Sequence, residues 1–236
     1  METDASPYRI AEPILDHGYV RLVEAWGSDE RIIEAARMST AKGFQGWGTA
    51  EQPGDERLLR FLYEHKHLTP FEMAGMIVEV QAPIFVFREW HRHRTQSYNE
   101  LSARYTALPD LVYIPSLERI MAGAQSTVNK QGSAEGIDGS KASLIQGLLE
   151  QGLQTSRDAY VELLQMGLAR ELARLVIPVA QYSRMRASAN LRNWLAFLTL
   201  RMDQGAQWEV RQYAGAMGKL IAHQFPRTWQ LFVGAA

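Results

Sequence analysis

The sequence predicts an α+β fold, a single helix-rich domain over residues 1–236 with a small, largely antiparallel sheet. Three observations support this class. Short segments with the alternating pattern of strands lie among longer segments with helical periodicity. The chain is 46% hydrophobic over 236 residues, which is enough for one sizeable core. The sequence shows no internal repeat and no linker that would separate two cores.

The N-terminal part of the chain predicts one strand and two helices. The segment YVRLVEAW (19–26) alternates and carries branched and aromatic residues, as strands do. Ser28 is a suitable N-cap for a helix through ERIIEAARMS. A second helix is predicted over GDERLLRFLYEHK, because four apolar residues share one helical stripe: Leu58, Leu59, Phe61 and Leu62.

A capped turn, a strand and a further helix follow. In HLTPFEM, Thr69 and Glu72 have the spacing of a capping box, and Pro70 stands at the first helical position. The segment MIVEVQA (76–82) alternates and predicts a strand. Pro83 then opens a predicted helix through IFVFREWHRHR.

The second half of the chain predicts mostly helix. LVYIP (111–115) indicates a short strand, and the polar, Gly- and Ser-rich residues 122–141 indicate a surface loop or a partly disordered insertion. A long helix is predicted over SLIQGLLEQGLQTSRDAYVELLQMG, and AQYSRMRASA (180–189) is predicted to be extended. Asn190 can cap a helix through LRNWLAFLTLR. AQWEVRQYAGAMGKLIAHQF predicts a final helix that ends at Pro226.

Composition and charge argue against several classes of protein. The formal net charge is −1, whereas general nucleic-acid binders carry a large positive excess, so we expect no nucleic-acid partner. No apolar run approaches the length of a membrane span, and the N-terminal METDASPYRIAEP is too polar and acidic for a secretory signal. We therefore expect a cytoplasmic protein without a membrane partner.

Arginine is the dominant cation, since only five of the 25 basic residues are lysine. Its planar fork of donors suits phosphate and carboxylate groups. A nearly neutral chain with clustered arginines indicates a small anionic ligand rather than a polymer, although most of these arginines are expected to pair with surface carboxylates. The chain has no cysteine, which excludes disulfides, thiolate metal sites and cysteine nucleophiles.

Four of the six histidines form two His-x-His pairs, His65/His67 and His91/His93. On a strand this spacing would turn both rings to one face, as a metal site requires. Both pairs instead fall at predicted helix ends or loops, and neither has a third ligand at regular spacing, so we predict no metal site. His65 is expected at the C-terminal end of a helix, where a cation is favourable.

The segment EWHRHRTQSYNELSARY (89–105) carries the densest polar chemistry in the chain. A solvated helix face would repeat Lys and Glu at i,i+4 spacing. This segment instead mixes guanidinium, imidazole, hydroxyl, amide and carboxylate groups, which fits a nucleotide: forks for the phosphate, and amide or carboxylate groups for the ribose and base. The residues concerned are Arg92, His93, Arg94, Ser97, Asn99, Glu100, Ser102 and Arg104.

Two later arginines stand among apolar residues, Arg174 in ARELARLVIP and Arg201 at the end of NLRNWLAFLTLR. A guanidinium in such surroundings needs a partner, because an unpaired buried charge is costly. Each either serves the same ligand or forms a buried ion pair, with Glu171 or Asp203 as the nearest carboxylates in the sequence.

The run Arg92-His93-Arg94-x-x-Ser97-x-Asn99-Glu100-x-Ser102-x-Arg104-Tyr105 resembles, without a gap, the signature motif of the flavin-dependent thymidylate synthases. A motif this long and chemically mixed rarely matches by chance. The resemblance covers most of the chain, apart from residues 122–141 and the extreme termini. Six further blocks resemble that family in the same order: AARMS (35–39), HLTPFE (67–72), APIFVFREW (82–90), ARLVIP (173–178), NLR (190–192) and LRMDQGAQWE (200–209).

The resemblance implies a function and a set of ligands. It implies methylation of dUMP to dTMP with a tightly bound, non-covalent FAD, methylenetetrahydrofolate as carbon donor and NADPH as reductant. It also implies a homotetramer with active sites shared between subunits. The residues implied to bind the flavin are Ser39, His67, Thr69, Glu72, Arg92, His93, Arg94, Asn99, Glu100, Asn190 and Arg192. Those implied to bind dUMP are Glu89, Arg92, Glu100, Ser102, Ala103, Arg104, Arg174 and Arg201.

The same resemblance gives Arg201 the catalytic role. The better-known class of thymidylate synthase attacks C6 of uracil with a cysteine, which this chain lacks. An arginine at the pyrimidine edge can favour the N3-deprotonated or enolate-like form and so move electron density towards C5. Ser102 is implied to lie near the ring, but a serine nucleophile would need an adjacent base, and none is predicted.

Two positions depart from the family pattern. Glu89 stands where the family often has Gln, and a carboxylate there would repel a phosphate. Glu89 must therefore contact a sugar or base donor, or pair with a neighbouring arginine. Gly205 stands where some members have His, so one flavin contact is either absent or replaced.

Two other functions compete with the methyltransferase. A metallohydrolase built on the histidine pairs would contain stoichiometric metal and no flavin. A non-catalytic nucleotide- or RNA-binding module built on the arginines would bind polymers in a salt-sensitive way and show no turnover.

Overall fold

The computed structural model describes residues 11–49, 51–128, 132–134 and 136–234. Its centre is a five-stranded sheet in which every neighbouring pair is antiparallel. In spatial order the strands are β1 (Ala11–Ile14), β2 (Gly18–Trp26), β3 (Gly75–Pro83), β7 (Tyr182–Asn190) and β4 (Ser97–Glu100). A separate two-stranded ribbon joins β5 (Ala124–Gln125) and β6 (Ser133–Ala134).

Helices make up most of the remaining regular structure. In chain order they are α1 (Asp29–Arg37), α2 (Asp55–Glu64), α3 (Ile84–Trp90), α4 (Leu117–Met121), α5 (Gly139–Gln165), α6 (Arg170–Ala173), α7 (Leu191–Arg201), α8 (Trp208–Gln224) and α9 (Pro226–Gly234). Short 3-10 turns cover Met38–Thr40, Thr69–Met73 and Arg174–Val176. The predicted class, a helix-rich α+β fold with a small antiparallel sheet, is confirmed.

The core lies between the sheet and the helices that cover it. Val78 and Val80 of β3 are fully buried, as are Trp194 of α7 and Tyr213 and Met217 of α8. Burial of these side chains removes their apolar surface from water and is the main stabilising contribution to the sheet–helix packing. In the described part of the chain, no helix combines the length and apolar composition needed to cross a bilayer.

Three predicted strands and two predicted N-caps are confirmed. The predicted strands at 19–26, 76–82 and 180–189 correspond to β2, β3 and β7. Ser28 accepts a hydrogen bond from the backbone N–H of Arg31 (3.3 Å) at the start of α1. Asn190 accepts one from the backbone N–H of Asn193 (3.0 Å) and begins α7.

The predicted capping box at Thr69 and Glu72 is wrong. Leu68 occupies the N-cap position of the 3-10 turn, and no side chain caps it. The Glu72 carboxylate instead accepts a hydrogen bond from Arg192 of α7. A tertiary ion pair therefore takes the carboxylate that the local pattern assigned to the cap.

The helix entered at Pro83 is shorter than predicted, since α3 ends at Trp90 and leaves His91 to Arg94 outside it. Where the helix stops, the Tyr98 hydroxyl lies within hydrogen-bond distance of the carbonyls of Trp90 (3.2 Å) and His93 (2.6 Å), and its single proton is donated to one of them at a time. These are carbonyls that a continuing helix would use for its own backbone bonds. Burial raises the pKa of Tyr98 to about 12, so the hydroxyl stays a donor.

The predicted strand at 111–115 is wrong, because only Val112 forms a bridge, with Gln181. The side-chain amide of Gln181 donates to the carbonyl of Leu111 (2.9 Å) and also to that of Pro109. Backbone bonds from Tyr113 to the carbonyl of Ala180 and from Tyr182 to the carbonyl of Leu111, both 2.9 Å, complete this single bridge, and the pairing does not extend into a strand.

The interpretation of 122–141 as a loop is wrong in part. Residues 124–125 and 133–134 pair as β5 and β6, and α5 already begins at Gly139, capped by Asp138 through the backbone N–H of Lys141 (3.0 Å). Residues 129–131 and 135 lie outside the described residues.

Two expectations about helices are confirmed only in part. The helix predicted to end at Pro226 does end there, since α8 stops at Gln224, but it is not the last helix. Pro226 begins α9, and Asp29 of α1 accepts bonds from the backbone N–H groups of Arg227 (2.8 Å) and Thr228 (3.2 Å) in its first turn. On α2, Leu59 and Leu62 are buried as predicted, but Phe61 is 45% exposed and stacks on His65, with ring centroids 4.1 Å apart.

Candidate active site

A cavity of about 610 Å³ lies between α3, the start of β7 and the segment that follows β4. Four of the eight residues predicted to bind the substrate line it: Glu100, Ser102, Ala103 and Arg174. Its volume is in the range of small-molecule sites. The structure therefore brings together residues that are more than 70 positions apart in the sequence.

The sheet positions the first three of these residues. Glu100 ends β4 opposite Met185 of β7, and the backbone N–H of Leu101 continues the pairing to the carbonyl of Arg184 (2.8 Å). The chain then turns, and the Ser102 hydroxyl accepts a bond from the backbone N–H of Arg104 (3.3 Å). Ala103, at this turn, is 7% exposed and lines the cavity together with Ser102, whereas Arg104 is exposed.

Arg174 does not form a buried ion pair with Glu171, which was the alternative to a ligand-binding role. The Arg174 side chain is exposed, and its Nε donates to the backbone carbonyl of Glu171 (3.3 Å). The Glu171 carboxylate instead lies 3.7 Å from Arg104. The charge of Arg174 at the cavity is therefore not neutralised by the Glu171 carboxylate. A free guanidinium in a cavity suits an anionic ligand.

Arg201 is buried, with 8% exposure, and it does form an ion pair, with Glu89 and not with Asp203. Its Nη1 donates to Oε2 of Glu89 and its Nη2 to the backbone carbonyl of Glu89, both at 2.8 Å. Its Nε donates to Nε2 of His93 (2.9 Å). Three of the five guanidinium N–H groups are thus fixed, and the other two have no hydrogen-bond partner among the described residues.

His93 is held in its neutral form. Burial, and after it the positive charge of Arg201, lower the pKa of His93, and the charge of Glu89 only partly opposes this. Because Nε2 accepts from Arg201, the ring proton lies on Nδ1. The ring also packs edge-on against Phe197, with centroids 4.8 Å apart.

Arg201 and Glu89 line a second cavity of about 640 Å³, beside the β5–β6 ribbon and the start of α8. Gly205 also lines it. Ile84, Phe87 and Arg88 of α3 line the first cavity at helical spacing, while Glu89 turns to the second. In one chain, α3 therefore separates the predicted substrate residues into two groups.

Most of the predicted flavin residues are exposed, and some of the elements that carry them are in contact. The turn at Thr69–Met73 packs on α7, where Glu72 pairs with Arg192. The Asn193 side chain donates to the carbonyl of Thr95 (3.1 Å), which joins α7 to the loop of Arg92 and Arg94. Exposed residues of this predicted set are Ser39, His67, Thr69, Arg92, Arg94, Asn99, Glu100 and Arg192.

The two histidine pairs do not converge. His91 lines the first cavity with Nε2 3.1 Å from Sδ of Met185, while His93 faces Arg201. His65 lies at the C-cap of α2, as expected, with Nδ1 2.9 Å from the carbonyl of Phe61. Within the described ranges, no group of three or more His, Cys, Asp or Glu residues could hold a metal ion.

The cavities also contain residues that the sequence did not indicate. Arg88 and Ser183 line the first cavity, and Arg119 and Trp208 the second, where the Arg119 guanidinium lies 5.5 Å from the Trp208 ring centroid. Arg88 could have been found from the sequence, because it is an arginine on a predicted helix shortly before the motif at 92–105. Ser183 could not, because a single serine on a predicted strand does not indicate a binding site.

Comparisons with known proteins show the family to which this sequence is similar. A family model described as "Thymidylate synthase complementing protein" matches residues 21–227. The flavin-dependent thymidylate synthase of Ruegeria pomeroyi is 41% identical over 226 residues, covering 94% of this chain and 72% of the relative. That of Thermosipho africanus is 40% identical over 220 residues, covering 93% of this chain and 92% of the relative.

Solved structures show the same fold. The UMP/dUMP methylase PolB from Streptomyces cacaoi, bound with 5-Br UMP, is 31% identical and superposes with a TM-score of 0.81 over 94% of this chain and 96% of that chain. Its complex with 5-Br dUMP gives a TM-score of 0.82 at 30% identity, over 94% and 97% of the two chains.

Proposed function

This chain belongs to the flavin-dependent thymidylate synthases, and we propose that it methylates dUMP to dTMP in the cytoplasm. In this proposal the one-carbon unit comes from methylenetetrahydrofolate, and NADPH reduces a tightly bound, non-covalent FAD. The absence of cysteine supports a route without a thiol nucleophile, because no side chain of this sequence can attack C6 of uracil as a thiolate.

The observation that carries the proposal is the first cavity. It combines the carboxylate of Glu100, the hydroxyl of Ser102, the guanidinium of Arg174 and an apolar wall that includes Phe87. An arginine fork and a hydroxyl suit a phosphate, and an apolar wall suits a pyrimidine or sugar. A 5-bromo analogue of dUMP is bound in the structure of the related PolB.

We assign the catalytic role to Arg201. Its guanidinium is buried and fixed by Glu89 and neutral His93, so two N–H groups with no partner among the described residues have a defined direction. Donors fixed in advance in a poorly solvated site stabilise negative charge better than water does, because they need no reorganisation. Placed at the pyrimidine edge, Arg201 would stabilise the N3-deprotonated or enolate-like uracil and make C5 more nucleophilic.

The exposed surface around Thr69, Arg92, Arg94 and Arg192 fits a flavin dinucleotide. Among the described residues, Arg92 and Arg94 have no carboxylate within ion-pair distance, so their forks are free for a pyrophosphate. The proposal also assigns to the flavin site the amide groups of Asn99, which is exposed on β4, and of Asn190, the N-cap of α7. When bound, the flavin supplies the reducing equivalents that turn the transferred one-carbon unit into a methyl group.

We also propose a homotetramer with shared active sites, built from single-domain chains. Arg174 and Arg201 line different cavities of one chain, so a second copy is needed to place both on one nucleotide. Exposed apolar side chains on and after α5 offer a surface for that copy. They include Leu144, Leu148, Leu172, Leu175 and Val179.

The test is spectroscopic. The purified protein should show a flavin absorption spectrum that bleaches with NADPH under anaerobic conditions, at a rate that depends on dUMP. Addition of methylenetetrahydrofolate should then yield dTMP. A colourless protein that takes up no FAD would overturn the proposal, and metal analysis would then test the histidine pairs.

A further inference from the structure

Ser183 lies in the wall of the first cavity with an unused hydroxyl. The residue is 1% exposed, and its Oγ has no hydrogen-bond partner among the described residues. It lines the same cavity as Glu100 and Ser102. A buried hydroxyl without a partner destabilises a protein, because its bonds to water are lost and not replaced. Such a group beside a cavity indicates a bond that a ligand completes.

The backbone places this hydroxyl next to the turn at Ser102, where the phosphate is proposed to bind. Ser183 pairs with Ala82 near the start of β7, and the carbonyl of its neighbour Arg184 accepts the backbone N–H of Leu101 (2.8 Å). The turn at Ser102 therefore begins directly beside Ser183. A nucleotide whose phosphate lies at this turn has its nucleoside part within a short distance.

The surroundings of Ser183 suit an uncharged group. Ile84, Phe87, Ile177 and Val179 line the cavity with it, whereas the charged side chains Arg174 and Glu100 are exposed. A single neutral hydroxyl in an apolar wall discriminates by hydrogen bonding, because a ligand without the matching group leaves it unpaired.

We propose that Ser183 is a substrate-binding residue whose hydroxyl forms a hydrogen bond with the nucleoside part of dUMP, either the sugar hydroxyl or a carbonyl of the base. The inference rests on the proposed function and adds to it a contact that fixes the nucleoside in the cavity. The bond involves no proton transfer, so it affects binding and not the chemical step.

The test is calorimetric titration of dUMP into the purified, flavin-loaded wild-type enzyme, Ser183→Ala and Ser188→Ala. Ser188 is on the same strand and does not line the cavity, so it is the matched control. Ser183→Ala should weaken dUMP binding roughly five- to tenfold, the loss expected for one neutral hydrogen bond. KM should rise to the same extent with kcat nearly unchanged, and Ser188→Ala should match the wild type.

The same substitution should not lower the melting temperature of the ligand-free enzyme, because the hydroxyl it removes has no partner there. Titration with 2′,3′-dideoxyuridine monophosphate, which lacks the sugar 3′-hydroxyl, separates the two acceptors. If Ser183→Ala and the missing 3′-hydroxyl together weaken binding no more than either change alone, the sugar hydroxyl is the partner. If the two losses of binding free energy add, the partner is the base. Wild-type binding by Ser183→Ala would overturn this inference alone. A wild-type enzyme that does not bind dUMP would overturn it together with the proposed function.

Discussion

Oε2 of Glu89 lies 2.8 Å from Nη1 of Arg201, and the backbone carbonyl of the same glutamate lies 2.8 Å from Nη2. Of the two roles that a carboxylate at this position could have, the structure shows the pairing with an arginine. Glu89 therefore orients Arg201 and also partly neutralises it. The charge that the substrate meets is set by this pair and by the neutral His93 beside it.

Arg201→Ala should abolish dTMP formation while leaving the flavin bound. We expect kcat to fall by at least about 100-fold, because a fixed donor to the developing negative charge is lost. The assay is dTMP production beside the flavin spectrum of the same sample. Arg31→Ala is the control, since Arg31 is an exposed arginine that pairs with Glu34 on α1. Near-normal turnover in Arg201→Ala would remove the catalytic assignment.

Glu89→Gln should tighten dUMP binding. Glutamine keeps an acceptor for Nη1 but removes the negative charge, so the guanidinium attracts an anionic uracil more strongly. The Glu89 side chain is 40% exposed, which limits the gain to roughly two- to fivefold in Kd. Glu89→Ala, which also removes the acceptor, should instead lower kcat. Weaker dUMP binding by the glutamine variant would show that the charge itself is needed.

The depressed pKa of His93 predicts a loss of stability in acid. The unfolded chain binds a proton near the ordinary pKa of 6.5, whereas the folded chain does so only at lower pH. The contribution is therefore complete above about pH 6.5 and decreases as the pH falls towards the folded pKa. Urea unfolding of the wild type and His93→Gln between pH 7 and pH 5 measures it. The free energy of unfolding of the variant should fall less over this range than that of the wild type. Equal decreases in the two proteins would show that His93 does not have a depressed pKa.

Arg192→Ala should weaken flavin binding without unfolding the protein. It removes a guanidinium next to the predicted flavin residues Thr69 and Asn190, and we expect about a tenfold weaker FAD affinity. Its ion pair with Glu72 is partly exposed, so the free energy of unfolding should change by less than about 1 kcal/mol. Arg60→Ala, from the exposed pair with Glu64 (3.6 Å), should change neither. Unchanged FAD affinity in Arg192→Ala would exclude this residue from the flavin site.

Mixing two inactive variants tests the shared site. Arg174→Ala and Arg201→Ala chains, denatured together and refolded, should regain activity in roughly a quarter of the sites if each site takes Arg174 from one subunit and Arg201 from another. If one chain supplies both residues, the mixture should stay inactive. Each variant refolded alone is the control.

Local signals predicted the parts of the fold that depend on local contacts. Ser28 and Asn190 cap helices because a side-chain oxygen and an N–H three residues away suffice. The capping box at Thr69 failed because Arg192, distant in the sequence, takes the Glu72 carboxylate. The helix end before Pro226 was confirmed, but the further helix after it was missed, because Asp29, distant in the sequence, caps it.

The sequence by itself determined the residue chemistry of this protein: an unbroken motif at 92–105, a cation content dominated by arginine, and no cysteine. Only the tertiary structure decided which of these groups meet. It paired Glu89 with Arg201, 112 positions apart, and it put Arg174 and Arg201 into separate cavities. The physical reason is that such contacts depend on how α3 and α7 pack against the sheet, and no local periodicity contains that information.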